Sequence, residues 1–332
     1  MRVAIALLGL ACGAAHAEGV FRDWSPGDAA TLLRDAASLA GTLPGVEAKE
    51  GAQADLEGPS LRRLDAASRG AGRSSAGLAA SPASRYAPQA LRDALAAVDA
   101  AIAQGRKPIV LFDIDDTLVR ASGRTRRILS EFAAEPEMRR KYGAELDKIA
   151  SPDLAKLAYY VSDSLVNHGV TDAALIEEAG RYWEERFFSN SYLPEDPAIR
   201  GAVAYVKAAL VKGTIVVYLT GRWEEMRPGT EAGLAKNGFP APNGRDVLLF
   251  MKPTKAMKDS DYKDAKLPEI GRLGVVVAGF ENEPKNVNLF KRHFPSGLMI
   301  FLDTAHSGSK DSEGRVIAPQ ASIPWVPDFT LP

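Results

Sequence analysis

The sequence predicts an α/β fold in which a parallel sheet is covered by helices on both faces. From residue 196 onward, helical patterns alternate with four largely apolar strands, TIVVYLTG, VLLFM, VVVAGF and LMIFLD. Such strands are typical of a parallel sheet that is buried on both faces. A fifth apolar strand, PIVLF at residues 108–112, is followed over residues 120–192 by helical patterns alone. These observations indicate a Rossmann-like core with an all-helical insertion after its first strand.

Residues 1–17 are predicted to be a secretory signal peptide. They contain Arg2, a short apolar run and the small-x-small sequence AHA before a cut after Ala17, as cleavable leaders do. The apolar run is too short to cross a bilayer. We therefore expect an exported protein, periplasmic or secreted, that begins near Glu18.

Cys12 is the single cysteine of the 332 residues and lies inside this leader. Once the leader is cleaved, neither a disulfide nor thiol catalysis is available. An alternative interpretation makes Cys12 a lipid-anchored first residue, because LACG partly resembles a lipoprotein signal. Gly9 stands where that signal usually has a large aliphatic residue.

The mature chain is predicted to begin with one helix and a flexible linker, over residues 18–87. Ser25-Pro26 precedes DAATLLRDAASLA, whose leucines have helical spacing. The following stretch, which includes SRGAGRSSAGLAASPAS, has too few large apolar residues to offset the entropy of ordering. The predicted divisions after it are core residues 88–119 and 193–305, helical insertion 120–192, and C-terminal tail 306–332.

Polar side chains follow three of the predicted strands. Asp113 and Asp115 follow the first strand, Thr220 and Gly221 end the second, and Glu281 follows a later one. Ligands of parallel sheets bind beyond the carboxyl ends of the strands. Carboxylates suit magnesium, and hydroxyl and amide donors suit phosphate. The sequence therefore predicts a site for a metal ion and a phosphoryl group.

These stretches resemble the motifs of the haloacid dehalogenase (HAD) superfamily of phosphohydrolases. LFDIDDTLV resembles the first motif, a hydrophobic strand followed by Asp-x-Asp-x-Thr-Leu, and IVVYLTGR resembles the second, a hydrophobic strand ending in Thr. The insertion between them has the size and position of a family cap domain. The resemblance covers residues 105–303 and implies a HAD core, a helical cap and magnesium-dependent hydrolysis of phosphate esters.

The resemblance implies a role for each site residue. Asp113 would be the nucleophile that forms an aspartyl-phosphate, and Asp115 would be the general acid and then the base. Thr220 and Gly221 would hold the phosphoryl oxygens. Magnesium would bind Asp113, the main-chain carbonyl of Asp115, and Glu281. An acid at position 115 favours phosphate-ester chemistry, because a superfamily dehalogenase lacks it.

The family's third motif is a lysine beside the nucleophile, and here the sequence leaves two choices. Lys263 lies on the predicted helix before the strand that ends near Phe280, where the family usually has this lysine. Lys252 follows the preceding strand and is the alternative. Either side chain could instead be a solvated surface lysine.

The fourth motif departs from the common Gly-Asp-x-x-x-Asp pattern, because VVVAGFENEPKN has its first acid one position later. Glu281 is the predicted metal ligand, and Asn282, Glu283 or Asn286 is the predicted second or water-mediated contact. The alternative is that Glu281 and Glu283 only begin the next helix, where acids are favoured.

Four further side chains have open roles. Arg222 is predicted either to contact the substrate phosphate or to form a structural ion pair. Asp116 is predicted to hydrogen-bond its own loop, and His306 to be structural rather than an acid or base. Arg124, with its neighbouring arginines, either attracts an anionic substrate or forms a solvated helix face.

The predicted insertion contains an aromatic stretch, RYWEERFFSNSYLPED. Its rings are predicted mainly to pack the helices, with stacking on a base or sugar as the alternative. The predicted substrate is a small phosphorylated metabolite or nucleotide. Because the net charge is -1, we expect no nucleic-acid polymer as partner, and no membrane span is predicted. The alternatives are a non-catalytic HAD-like binding protein and a phosphotransferase.

Overall fold

The computed structural model describes residues 85–332. The predicted leader and nearly all of the predicted segment 18–87 lie outside the described residues. The strands are β1 Pro108–Phe112, β2 Ile215–Trp223, β3 Val247–Lys252, β4 Val275–Glu281, β5 Leu298–Leu302 and β6 Trp325–Val326. They form one sheet in the order β3-β2-β1-β4-β5-β6, with every neighbouring pair parallel. This confirms the predicted fold class.

Helices cover both faces of the sheet. Within residues 85–332 the α-helices are α1 Gln89–Ala103, α2 Ser122–Ala134, α3 Pro136–Tyr142, α4 Val161–Asn167, α5 Ala173–Phe187, α6 Ala202–Val211, α7 Arg227–Asn237, α8 Asp259–Leu273 and α9 Pro284–His293. The side chains of β1 alternate between the two faces, as a pleated strand requires. Val110 and Phe112 pack with α1 and α6, and Ile109 and Leu111 pack with α8 and α9.

The segment between β1 and β2 is helical, and no strand occurs there among the described residues. It has its own apolar core, in which Ile128, Phe132 and Trp183 are buried. The side chain of Asp172 caps α5 by accepting a hydrogen bond from the Ala174 N–H at 2.8 Å. We call α2 to α5 with their connecting turns the helical insertion.

The C-terminal residues return to the sheet. Residues 306–332 were predicted as a tail, yet β6 extends the sheet next to β5. The Phe329 ring packs 5.2 Å from that of Phe280. A two-residue strand has no detectable periodicity in sequence, so β6 could not be predicted. Within the described part of the chain, no helix has the length and apolar character needed to cross a membrane.

Candidate active site

The predicted site residues lie at the carboxyl edge of the sheet, where β2, β1 and β4 are neighbours. Asp113 directly follows β1, and its N–H donates to the Phe280 carbonyl of β4 at 3.0 Å. Thr220 lies near the end of β2, and Glu281 is the last residue of β4. All three acidic or hydroxyl side chains are buried. The strand order therefore brings together residues that are far apart in sequence.

Lys263 of α8 joins two of these acids. Its Nζ lies 2.7 Å from Asp113 Oδ1 and 2.6 Å from Glu281 Oε2. Burial alone would lower the pKa of Lys263, but the two carboxylates outweigh burial and raise it. Burial raises the pKa of Asp113, against the opposing charge of Lys263. Lys263 is therefore the lysine beside the predicted nucleophile.

Lys252, the alternative lysine, pairs with a different acid. Its Nζ lies 2.6 Å from Asp259 Oδ1 and donates to the Met257 carbonyl at 2.8 Å. Asp259 is the first residue of α8, and its carboxylate lies directly against Gly221. Lys252 is buried, so neither candidate lysine is a solvated surface residue.

The carboxylate of Asp115 is held by two arginines. Arg222 contacts it in a bidentate manner, with Nε 2.8 Å from Oδ2 and Nη2 2.9 Å from Oδ1, and Arg124 Nη2 also donates to Oδ1. Burial would raise the pKa of Asp115, but the charges of Arg124 and Arg222 outweigh burial and lower it. In this arrangement both oxygens of the Asp115 carboxylate accept charge-assisted hydrogen bonds from arginine.

Asp196 completes this charge cluster and was not predicted from the sequence. Its Oδ2 lies 3.1 Å from Arg124 Nε and 3.3 Å from Arg222 Nη2. Burial raises its pKa to about 6, although both arginines oppose the rise. Arg124 begins the helical insertion and Asp196 follows it, so the cluster links both junctions of the insertion to the core. The position of Asp196 at the predicted boundary was the available signal.

Arg124 is neither a solvated helix residue nor exposed to an incoming anion. Its side chain is 1% exposed. The guanidinium carbon lies 4.0 Å from the centre of the Phe187 ring, and Nη1 donates to the Phe187 carbonyl at 3.2 Å. The structure therefore favours an ion-pair role for Arg124, as it does for Arg222.

The ENEP stretch after β4 is tightly bonded. Glu281 Oε1 accepts from the N–H groups of Asn282 and Glu283, both at 3.0 Å. The Asn282 amide accepts from Thr117 Oγ1 at 3.1 Å. The Glu283 carboxylate accepts from the Ser307 N–H at 2.7 Å and hydroxyl at 2.8 Å. Of the residues predicted as a second metal contact, Asn282 and Glu283 thus bond surrounding loops, and Asn286 is buried on α9.

The donors present have the right chemistry for magnesium, although they form no carboxylate cage. Among residues 85–332, no group of three or more His, Cys, Asp or Glu residues is arranged to hold a metal ion. Asp113 and Glu281 are the two site carboxylates on Lys263. Magnesium usually takes only one or two protein carboxylates and keeps several waters. Asp113 and Glu281 are therefore of the ligand type that a hydrated magnesium ion takes, and in this structure Lys263 Nζ lies within 2.7 Å of an oxygen of each.

A cavity of about 330 Å³ lies between the helical insertion and the core. Its wall contains Asp116, Arg120, Tyr159 and Phe187. Asp116 has a φ of 53°, which is unusual for a residue other than glycine. Burial and then the charges of Asp115 and nearby acids raise the pKa of Asp116 to about 8. Asp116 thus belongs to a cavity wall as well as to its loop.

Most aromatic rings of the insertion pack within it. Trp183 is buried, stacks on Phe187 at 4.1 Å between ring centres, and donates from Nε1 to Thr125 Oγ1 at 3.1 Å. Phe187 also lines the cavity. His306 Nδ1 accepts from the Gly308 N–H at 3.2 Å, which is a local contact of the loop.

No protein-family model matches this sequence, and no curated protein sequence matches it. Solved structures show weak likeness. A haloacid dehalogenase-like hydrolase from Streptococcus pneumoniae has a TM-score of 0.38 and 12% identity, over 66% of this chain and 90% of that one. The class C acid phosphatase from Bacillus anthracis with tungstate bound has a TM-score of 0.35 and 15% identity, over 71% and 78%.

A Pnkp1/Rnl/Hen1 RNA repair complex is also among the similar structures. Its TM-score is 0.34 at 17% identity, and the match covers 60% of this chain and 43% of that chain. Likenesses of this strength assign no activity or partner to the present protein. The expectation that it binds no nucleic-acid polymer therefore stays a prediction.

Proposed function

We propose that this protein is a magnesium-dependent phosphomonoester hydrolase that acts through an aspartyl-phosphate. The observation that carries the proposal is the buried Asp113 carboxylate at the end of β1, paired with Lys263 and adjacent to the ends of β2 and β4. A carboxylate nucleophile needs a nearby cation because a phosphoryl group brings further negative charge. Lys263 supplies that cation.

In the proposed reaction an oxygen of Asp113 bonds to phosphorus while the bond from phosphorus to the ester oxygen breaks. After its carboxylate leaves one arginine and takes a proton from solvent, Asp115 donates that proton to the departing alkoxide, and it later takes a proton from the attacking water. That water releases inorganic phosphate and restores Asp113. Magnesium, held by Asp113, Glu281 and the Asp115 main-chain carbonyl, would neutralise charge on the phosphoryl oxygens.

The cavity beside Asp116 is the proposed binding place for the leaving group. Its volume of about 330 Å³ is at the small end of the range for small-molecule pockets. The wall combines the Phe187 ring with polar groups such as Arg120 and Tyr159. We therefore propose a small phosphorylated metabolite or nucleotide as substrate, and an exported location consistent with the predicted leader.

The test is phosphate release from p-nitrophenyl phosphate and a nucleotide panel, with and without magnesium. Asp113→Asn should reduce kcat by roughly 1,000-fold or more, because it removes the nucleophile while keeping the side-chain volume. Asp147→Asn changes an exposed acid of the insertion and should leave kcat unchanged. Full activity in Asp113→Asn would refute the proposed nucleophile. Transfer of phosphate to an added alcohol in preference to water would instead identify a phosphotransferase.

A non-catalytic binding protein is the second candidate, and the two arginines on Asp115 favour it. Ion pairs of this kind keep the Asp115 carboxylate ionised, so they oppose its action as a general acid. Measurements of activity and of magnesium binding on the same protein distinguish the binding protein from the enzyme. Inactivity on every substrate, with no magnesium-induced rise in melting temperature, would support the binding protein over the enzyme.

A further inference from the structure

The carboxylate of Asp259 fills the space beside Gly221. A Cβ atom built on Gly221 would lie 2.8 Å from Asp259 Oδ1 and would come still closer to Oδ2 and Cγ. Real Cβ atoms essentially never come within 3.0 Å of another heavy atom in this way. The carboxylate of Asp259 is therefore packed against the backbone of Gly221, the residue after Thr220.

This carboxylate is also held in a partly buried ion pair. Lys252, buried and 2.6 Å from Asp259 Oδ1, is its counter-ion. Burial raises the pKa of the Tyr159 hydroxyl, and the charges of Glu283 and Asp259 add to the rise. Tyr159 lines the cavity between the helical insertion and the core, so the charge of Asp259 acts on a group of the cavity wall.

The loop between β3 and α8 contacts two aromatic rings through Lys255. Lys255 Nζ lies 5.3 Å from the centre of the Phe188 ring and 5.7 Å from that of Trp223. These distances are within the range of cation-π attraction, which is weak at an exposed position. A contact of this strength adds little to the stability of the loop that precedes Asp259.

We propose that Asp259 is an internal anion that occupies the phosphoryl position beside Thr220 and Gly221, and that a phosphoryl group must displace it to bind. This inference rests on the proposed function, because that function assigns the position to phosphate. Two anions cannot share one site. Asp259 therefore sets the apparent affinity for phosphorylated ligands, and a competent site forms only when the ligand's charge replaces that of Asp259 next to Lys252.

A simpler role for Asp259 is that an acid is favourable in the first turn of α8. Asp261 is also in the first turn of α8, but it is exposed and contacts Ser260 rather than Gly221. Asp261→Asn is thus a matched control for the effect of charge on the helix. Only Asp259→Asn removes the charge beside Gly221.

The experiment measures kcat and KM for p-nitrophenyl phosphate and the binding of inorganic phosphate by calorimetry, with magnesium, in the full mature protein. Asp259→Asn should lower KM and the phosphate Kd by about tenfold, because a neutral amide competes less well than a carboxylate. Its kcat should change by less than about twofold, because Asp259 does not touch the reacting atoms. Asp261→Asn should match the wild type. Asp259→Ser, with a smaller side chain, serves if Asp259→Asn does not fold.

The outcomes separate this inference from the proposed function. If the wild type is active and Asp113→Asn is inactive, but KM and phosphate Kd are unchanged in both Asp259 variants, the internal anion is refuted and the enzyme stands. If no variant hydrolyses any substrate but phosphate binds more tightly in Asp259→Asn, the internal anion is supported and the enzyme fails. Tighter binding in Asp261→Asn as well would also refute it, because the effect would then be general.

Discussion

Lys263 is a buried cation shared between two buried carboxylates, Asp113 and Glu281. An ion pair in such a place contributes little net stability over an apolar replacement of the whole group. Removing only the lysine is different, because two carboxylates would then face each other without a counter-charge. Loss of Lys263 would therefore leave two buried carboxylates unpaired, and their desolvation would lower the stability of the folded protein.

We expect Lys263→Met to lower the free energy of unfolding by about 3–5 kcal/mol. Lys266→Met is the control, because Lys266 lies on the same helix and pairs with Glu269 at the surface; its cost should stay below about 1 kcal/mol. Urea unfolding followed by circular dichroism measures both variants in EDTA. Equal, small losses would show that Asp113 and Glu281 do not depend on Lys263.

The helical insertion is attached to the core through charge as well as through packing. Arg124 at its start contacts Asp115 and Asp196, and Asp196 lies just after its end. Gly123 beside it has no room for a side chain, because a Cβ would overlap the Glu195 carbonyl oxygen and Pro197. The two junctions are therefore packed against each other as one buried unit.

Arg124→Met should cost about 3–5 kcal/mol in the free energy of unfolding, because Asp115 and Asp196 lose a shared cation. The variant should also make the insertion more sensitive to limited proteolysis. Arg126 lies on the same helix and is exposed, so Arg126→Met should stay within about 0.5 kcal/mol of the wild type. An Arg124→Met protein as stable as the control would show that the junction depends on apolar packing alone.

At the scale of the molecule, several carboxyl groups among residues 85–332 have a pKa that burial raises. The carboxyl groups with a raised pKa are Asp113, Asp116, Asp196, Glu281 and Glu283. Burial is the first cause in each case. Values of about 8 for Asp116, about 6 for Asp196 and about 7 for Glu283 place their titration in the neutral range. The native protein thus holds protons that the unfolded chain has already released.

These shifts determine how stability depends on pH. An acid with a raised pKa contributes stability below its unfolded value, and the contribution is lost as pH rises through the folded value. In EDTA, the melting temperature should therefore be higher at pH 6 than at pH 8. Burial lowers the pKa of His306, so this one group opposes the trend set by several acids. The lowered pKa of Asp115 affects stability only at pH values below this range.

Differential scanning calorimetry in EDTA at pH 6, 7 and 8 measures this dependence. Asp196→Asn should flatten the part of the curve nearest pH 6, because it removes one titrating group. A melting temperature that falls steadily from pH 8 to pH 6 would contradict the raised pKa values of these buried acids.

The sequence by itself determined the sheet, the helical segment after β1 and the acids at the strand ends. These features are local: an apolar strand has a composition of its own, and residues after a strand in a parallel sheet lie at the carboxyl edge. Asp113, Thr220 and Glu281 could be placed at one edge for that reason. The short strand β6 could not, because two residues have no period.

Only the tertiary structure decided which side chains meet across that edge. Lys263 rather than Lys252 reaches Asp113, 150 positions away, and Arg222 contacts Asp115 across 107 positions. Asp259 of α8 likewise lies against Gly221 of β2. Such contacts depend on how loops and helices pack. The type of a side chain alone does not show which residue it will contact. The physical limit is that burial and counter-charge are properties of the folded chain, whereas strand pattern is a property of the sequence.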